Sequence, residues 1–269
     1  MFVVSKLQFI KRQKTKPCYE SSAITGLVPK LHFKVEKKEV NILSIRNKNK
    51  FSLDQNGYEL HNFKTKYDEH NIIENLELYK EELRVFLKRI FDYSKIFIFD
   101  CTIRSNRKEG AYNLDGYRQP ADRVHVDYTL KSGPHRAKEV ISLELFNKTI
   151  ESGKRIIQLN AWRPLCDEVK SSPLTFAEPT SIYKKDLVAT DQIFPDRIGE
   201  IYHVAYNKKQ KWNWVPDMKR NEILLLKGWD SSNNKNIIKF TPHASFDLEK
   251  QNIKKNPRTS IEARIFLIL

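Results

Sequence analysis

The stretch Arg123-Val124-His125-Val126-Asp127-Tyr128-Thr129 decides how this chain of 269 residues folds and what it can hold. Its alternating valines predict a β-strand, on which successive side chains point to opposite faces. His125 and Asp127 then project together, while Val124, Val126 and Tyr128 face the other way. An imidazole and a carboxylate converging on one point make two-thirds of the 2-His-1-carboxylate triad that holds Fe(II) and leaves positions open opposite the protein. A His-x-Asp pair is common by chance and reads equally as a strand-end His and Asp bonded to each other. A third ligand is needed.

It stands far downstream, in Phe240-Thr241-Pro242-His243-Ala244-Ser245-Phe246. Two rivals rank below His243: His135 in a Gly133-Pro134-His135-Arg136 turn, and His203 within a strand. Soon after His243 comes Pro257-Arg258-Thr259-Ser260-Ile261-Glu262-Ala263-Arg264. On one strand face, Arg258 and Ser260 suit a carboxylate, because the guanidinium fork takes two oxygens and the hydroxyl adds a donor. Arg264 shares that face and is a second candidate for the same clasp. The order of these parts is far less probable by chance than any one of them.

With that order established, the sequence resembles the Fe(II)/2-oxoglutarate-dependent oxygenases, and within them the AsaB/CmcJ-type hydroxylase/desaturase family. Further matching segments are Arg118-Gln119-Pro120, Asn160-Ala161-Trp162-Arg163-Pro164-Leu165, Asp186-Leu187-Val188 and Trp229-Asp230-Ser231. They run from about residue 96 to the end, and residues 1–95 resemble the family only loosely. The resemblance implies that His125, Asp127 and His243 bind Fe(II), and that Arg258 and Ser260 hold the far carboxylate of 2-oxoglutarate. It also implies substrate contacts from Asn160, Arg163 and Arg104. The reaction implied uses O2 to hydroxylate or desaturate an unactivated C–H bond of a small molecule, a secondary metabolite, with release of succinate and CO2.

Two rival readings use the same residues. A zinc-dependent hydrolase could activate water with the His/Asp/His set, but it leaves Arg258 and Ser260 without a role. A non-catalytic jelly-roll binding protein or a basic nucleic-acid module would make His125 and Asp127 structural. The net charge of +15 and pI near 9.6 raise the nucleic-acid possibility. The lysines, however, are scattered from end to end, as in Lys11-Arg12-Gln13-Lys14 and Lys208-Lys209-Gln210-Lys211, so the charge reads as solvated faces that steer small anions. Nucleic acid is not an expected partner, and the sequence says nothing of oligomeric state.

Mean hydropathy of −0.59 and 30% charged residues argue against a membrane protein. The opening residues alternate with polar ones too soon for a signal-peptide core. The odd three cysteines, Cys18, Cys101 and Cys166, lack metal-ligand spacing and predict neither a zinc site nor a disulfide framework. A cytoplasmic protein is expected.

Along the chain, residues 1–95 read as an N-terminal elaboration: strands at 31–35 and 40–45, a turn at Asn56-Gly57, and an amphipathic helix over 76–93 that packs on the core. Residues 96–269 read as the core. A strand at 96–100 leads past Arg104 to a loop over 108–120 that reads as a substrate lid or, equally, as a simple flexible connection. A helix over 136–151 follows, then a strand over 155–162. Short strands after residue 181, with Asn, Pro and Gly between them, complete a mainly β, cupin-like jelly roll (double-stranded β-helix) with flanking helices. In that fold Arg258 and Ser260 are expected on a strand adjacent to the one bearing His243.

Overall fold

Alternating apolar and polar residues form strands, and the strands assemble into two sheets that face each other. The structure, a computed structural model, describes residues 2–46 and 51–269. The larger sheet has ten strands. Its middle runs Trp212–Trp214, Leu174–Ala177, His243–Ser245, His125–Val126, Ile198–Val204, Leu187–Ile193. The strands Phe2–Ile10 and Val35–Ser44 extend one side, and Cys18–Glu20 and Lys30–Leu31 the other. This sheet curls so far that its first strand returns to the middle, where Gln8 bridges Arg123.

The smaller sheet runs Tyr58–Asn62, Glu222–Asp230, Ile156–Pro164, Thr259–Ile268, Lys95–Ser105. Trp162, Leu224 and Leu226 on its inner face meet Leu174 and Phe176 of the larger sheet. Its outer face, with Leu159, Ala161, Ile261 and Ala263, is covered by the helix Leu76–Ile90 through Tyr79, Leu83 and Leu87. Those three recur every fourth residue, as one buried helical stripe requires. Each large apolar side chain so buried contributes roughly 1.5–3 kcal/mol. The double-sheet jelly roll expected from the sequence is the observed architecture.

Residues 1–95 do not stand as a layer apart. Besides the covering helix they supply strands to both sheets, and Cys18–Glu20 pairs with Leu187–Ile193. The helix expected over 136–151 is two, Ser132–Ile141 and Leu143–Glu151. They are broken at Ser142, whose φ of 77° no helix accommodates. The 108–120 loop contains a hairpin, Ala111–Asn113 against Gly116–Arg118, turned at Gly116 with φ 111°. Arg258 precedes and Ser260 lies on the Thr259–Ile268 strand of the smaller sheet, facing the sheet of His243 rather than adjoining its strand. Both sites are thereby brought to one interior, from opposite walls.

Where the Glu222–Asp230 strand meets Asp54, the fold buries a charge network. Lys227, with no exposed side-chain surface, lies 2.7 Å from Asp230 and 2.8 Å from Asp54. Arg155 bonds to both carboxylates. Among the described residues no helix is long and apolar enough to cross a membrane.

Candidate active site

The strand His125–Val126 is two residues long, yet it is gripped on both sides. His125 is in register with His243 on one neighbour and with His203 on the other. Direct cross-strand partners share a face, and the His125 and His243 rings lie 4.5 Å apart. Asp127, two residues on, joins them: ligand atoms of His125, Asp127 and His243 all lie within 4.8 Å of one another. Among the described residues this is the one such cluster of His, Cys, Asp and Glu donors.

The atoms that would not ligate are already committed. His125 Nδ1 donates to the Arg123 carbonyl at 2.8 Å, and His243 Nδ1 to the Thr241 carbonyl at 3.0 Å. In both, the partner is two residues upstream, which orients the ring and leaves Nε2 with its lone pair free. Asp127 Oδ2 accepts from Asn160 Nδ2 at 2.6 Å and from Arg264 Nε at 3.2 Å. Its Oδ1 remains, 3.5 Å from His125 Nε2. Gln158 in turn donates to Asn160 Oδ1 at 2.7 Å and fixes the amide.

The protonation states suit a metal. Burial opposes the charge on Asp127, but the Arg264 guanidinium and the two imidazoles hold its carboxyl well below the usual range. Burial, helped by His125, pushes His243 down, so its imidazole is neutral at pH 7, as a metal ligand must be. Asn160→Ala should leave the fold intact and weaken metal binding by about 10- to 100-fold. Competition for Fe(II) against a chelator would measure this, and unchanged affinity would refute the orienting role.

Along the Thr259–Ile268 strand the same inner face carries Ser260, preceded by Arg258. Arg258 is 1% exposed, donates to the Ser172 carbonyl and lies over the Trp162 ring at 5.3 Å. Among the described residues no carboxylate is within ion-pair reach of it. Its Nε and the Ser260 Oγ are buried without a hydrogen-bond partner. Orphaned buried donors on the inner face opposite the sheet of His243 fit a bound carboxylate, as a 2-oxoglutarate site requires.

The other expected residues divide. Arg104 lines the cavity above the triad. Asn160 reaches Asp127 rather than the cavity. Arg163 is a correction: it lies on the outer face, donates to the Tyr67 carbonyl and packs on the Tyr79 ring. It stands three positions after Asn160, an odd offset that reverses the face on a strand. Of the rival ligands, His135 is exposed beside Glu139. His203 adjoins His125 but packs against Tyr19 and Phe33. Tyr19 and Arg123, which also line the cavity, went unnoticed in the sequence. Tyr128, expected to face away, lines it too, because the strand ends at Val126.

A jelly roll that presents two imidazoles and one carboxylate at a single point defines the non-haem iron class of oxygenases. The comparisons agree. Residues 7–268 match the family described as Oxidoreductase/YMDC permease-like domain. The chain is 31% identical over 232 residues to "Alpha-ketoglutarate-dependent dioxygenase tstK" of Talaromyces stipitatus, covering 82% of this chain and 81% of that protein. It is 29% identical over 266 residues to "Hydroxylase/desaturase efuI" of Hormonema carpetanum, covering 89% and 86%. The iron and alpha-ketoglutarate-dependent endoperoxidase NvfI shares the fold with a TM-score of 0.82 at 18% identity, over 99% of this chain and 98% of that one. The chain belongs to the iron- and 2-oxoglutarate-dependent dioxygenases of the hydroxylase/desaturase type.

Proposed function

We propose that this protein oxidises an unactivated C–H bond of a small-molecule secondary metabolite, by hydroxylation or desaturation, using His125, Asp127 and His243 to hold Fe(II). The observation that carries this reading is the pairing of a preorganised donor set with an uncompensated buried guanidinium in the same interior. Arg258 and Ser260 receive the far carboxylate of 2-oxoglutarate. Asn160 and Arg264 restrain Asp127 through Oδ2, so that Oδ1 alone is presented. Bound iron, with 2-oxoglutarate and O2, supplies the oxidant that removes hydrogen, and the keto acid leaves as succinate and CO2. The protein's share is orientation, exclusion of water and placement of substrate in a cavity of about 750 Å³.

Zinc would also accept this donor set, but zinc-dependent hydrolysis gives Arg258 and Ser260 nothing to bind. The three cysteines are free, as suits a reducing cytoplasm. Anaerobic addition of Fe(II) and 2-oxoglutarate should develop the visible charge-transfer band of a chelated keto acid, and zinc should quench it by competition. A mixture that stays colourless while zinc supports hydrolysis would overturn the assignment.

A further inference from the structure

The cavity above the donor set could seat a drug-sized molecule. The cations in its walls fall into three groups. Lys16, Arg118, Arg136 and Arg264 each meet a carboxylate at 2.5 to 2.7 Å. Lys131 and Arg197 are exposed to solvent. Arg104 and Arg123 are half-buried and lack such a partner.

Arg123 lies over the Tyr19 ring at 5.7 Å, and its Nε is buried with no hydrogen-bond partner. Its nearest carboxylate, the half-exposed Asp122, is 3.8 Å away and already accepts from Gln8. Arg104 makes one bond, to the Gln119 carbonyl at 2.9 Å, and no carboxylate is within ion-pair reach among the described residues. The Tyr19 hydroxyl, a donor at neutral pH, has no protein acceptor among them either. Two largely desolvated guanidiniums thus face one space with a single half-exposed carboxylate 3.8 Å from one of them, an incomplete compensation that an arriving anion relieves.

We propose that the primary substrate carries a carboxylate or an equivalent anionic group, and that Arg123, Arg104 and the Tyr19 hydroxyl receive it. Apolar wall residues, Phe99, Leu27, Val28, Phe194 and Ile198, face the remainder of the molecule. This subsite adjoins the co-substrate clasp, since Arg104 lies cross-strand from Ser260, but Arg258 does not line the cavity, so the Arg258→Gln variant distinguishes the two. The proposal rests on the oxygenase reading only for its chemical outcome. Arg123 precedes His125 by two residues on the same face, about 6–7 Å along an extended chain. An anion seated there sets the oxidised carbon several bonds from the carboxylate.

The test is calorimetric titration of the metal-free full-length protein with decanoate and 2-naphthoate, each compared with its neutral carboxamide. The acids should bind about tenfold tighter or more. The preference should collapse to within about twofold in Arg123→Gln and in Arg104→Gln, persist in Arg258→Gln, and be restored in Arg123→Lys, which keeps the charge. Equal binding of acid and amide, no binding of either acid at millimolar concentration, or a preference that survives both Gln variants overturns the proposal. So does a preference lost only in Arg258→Gln, which would put the anion in the co-substrate clasp. No iron is involved, so a failure here leaves the charge-transfer result standing, and a colourless iron titration leaves this one standing.

Discussion

Arg258→Met should raise the melting temperature of the metal-free protein and, with Mn(II) bound, abolish the stabilisation that 2-oxoglutarate gives the wild type. Both effects follow from one feature. Burial, with Arg104 nearby, pushes the Arg258 guanidinium down to about 9. The unfolded chain therefore binds more protons than the native one between about pH 9 and the ordinary guanidinium range, and stability rises with pH across that window. Below it the full penalty for a buried, unpaired cation is present.

Methionine keeps the volume against Trp162 and removes the charge. Replacing poorly compensated buried charge with apolar packing stabilises by about 1–4 kcal/mol. At roughly 2–4 °C per kcal/mol for a chain of this size, that is a rise of several degrees. Losing the buried guanidinium should also weaken 2-oxoglutarate by about 2–5 kcal/mol, at least about 30-fold. Thermal melts with and without the keto acid read both. A variant that melts lower yet still responds to 2-oxoglutarate would contradict the assignment of Arg258.

Lys227→Met, on the same sheet, should behave in the opposite way. Lys227 is as deeply buried but lies between Asp54 and Asp230. Its removal leaves the buried Asp230 and the half-exposed Asp54 with Arg155 alone as counter-charge, a loss of up to about 3–5 kcal/mol, or very roughly 6–20 °C at most. Burial opposes the charge on Asp230, but Arg155 and Lys227 outweigh it and depress its carboxyl. The stability it contributes is present above the unfolded carboxyl value and is lost as pH falls through the lower native one. Melts from pH 7 downward should show the variant already destabilised at neutral pH and less dependent on acid than the wild type. A neutral Lys227→Met would show that the network adds nothing.

What could be read beforehand was the face on which a side chain lies. His125 and Asp127 announce themselves because a strand has a period of two, and the order of His243, Arg258 and Ser260 supplied the remaining parts. The same parity rule separates Arg163 from Asn160, and the expectation that both touch substrate overlooked it. Which strand lies beside which is a different matter. The pattern puts Arg258 next to the strand of His243, yet it stands on the opposite sheet, because local pattern fixes a face but not a neighbour. Tyr19 joins the cavity only because Cys18–Glu20 pairs with a strand some 170 residues away, and Arg123 is conspicuous only because its Nε is buried unpartnered with its nearest carboxylate 3.8 Å away. The split at Ser142 had no signal either, since Ser tolerates a helix interior well enough to hide a break.

The two-residue strand His125–Val126 has a final consequence. A one-residue slip would turn Val124 and Val126 inward and His125 and Asp127 out, so its alignment depends on both flanking strands and on the returning amino-terminal one. Those neighbours are remote in sequence, and pairings of that kind form late. The donors of His125, Asp127 and His243 therefore converge only once those distant strands have paired.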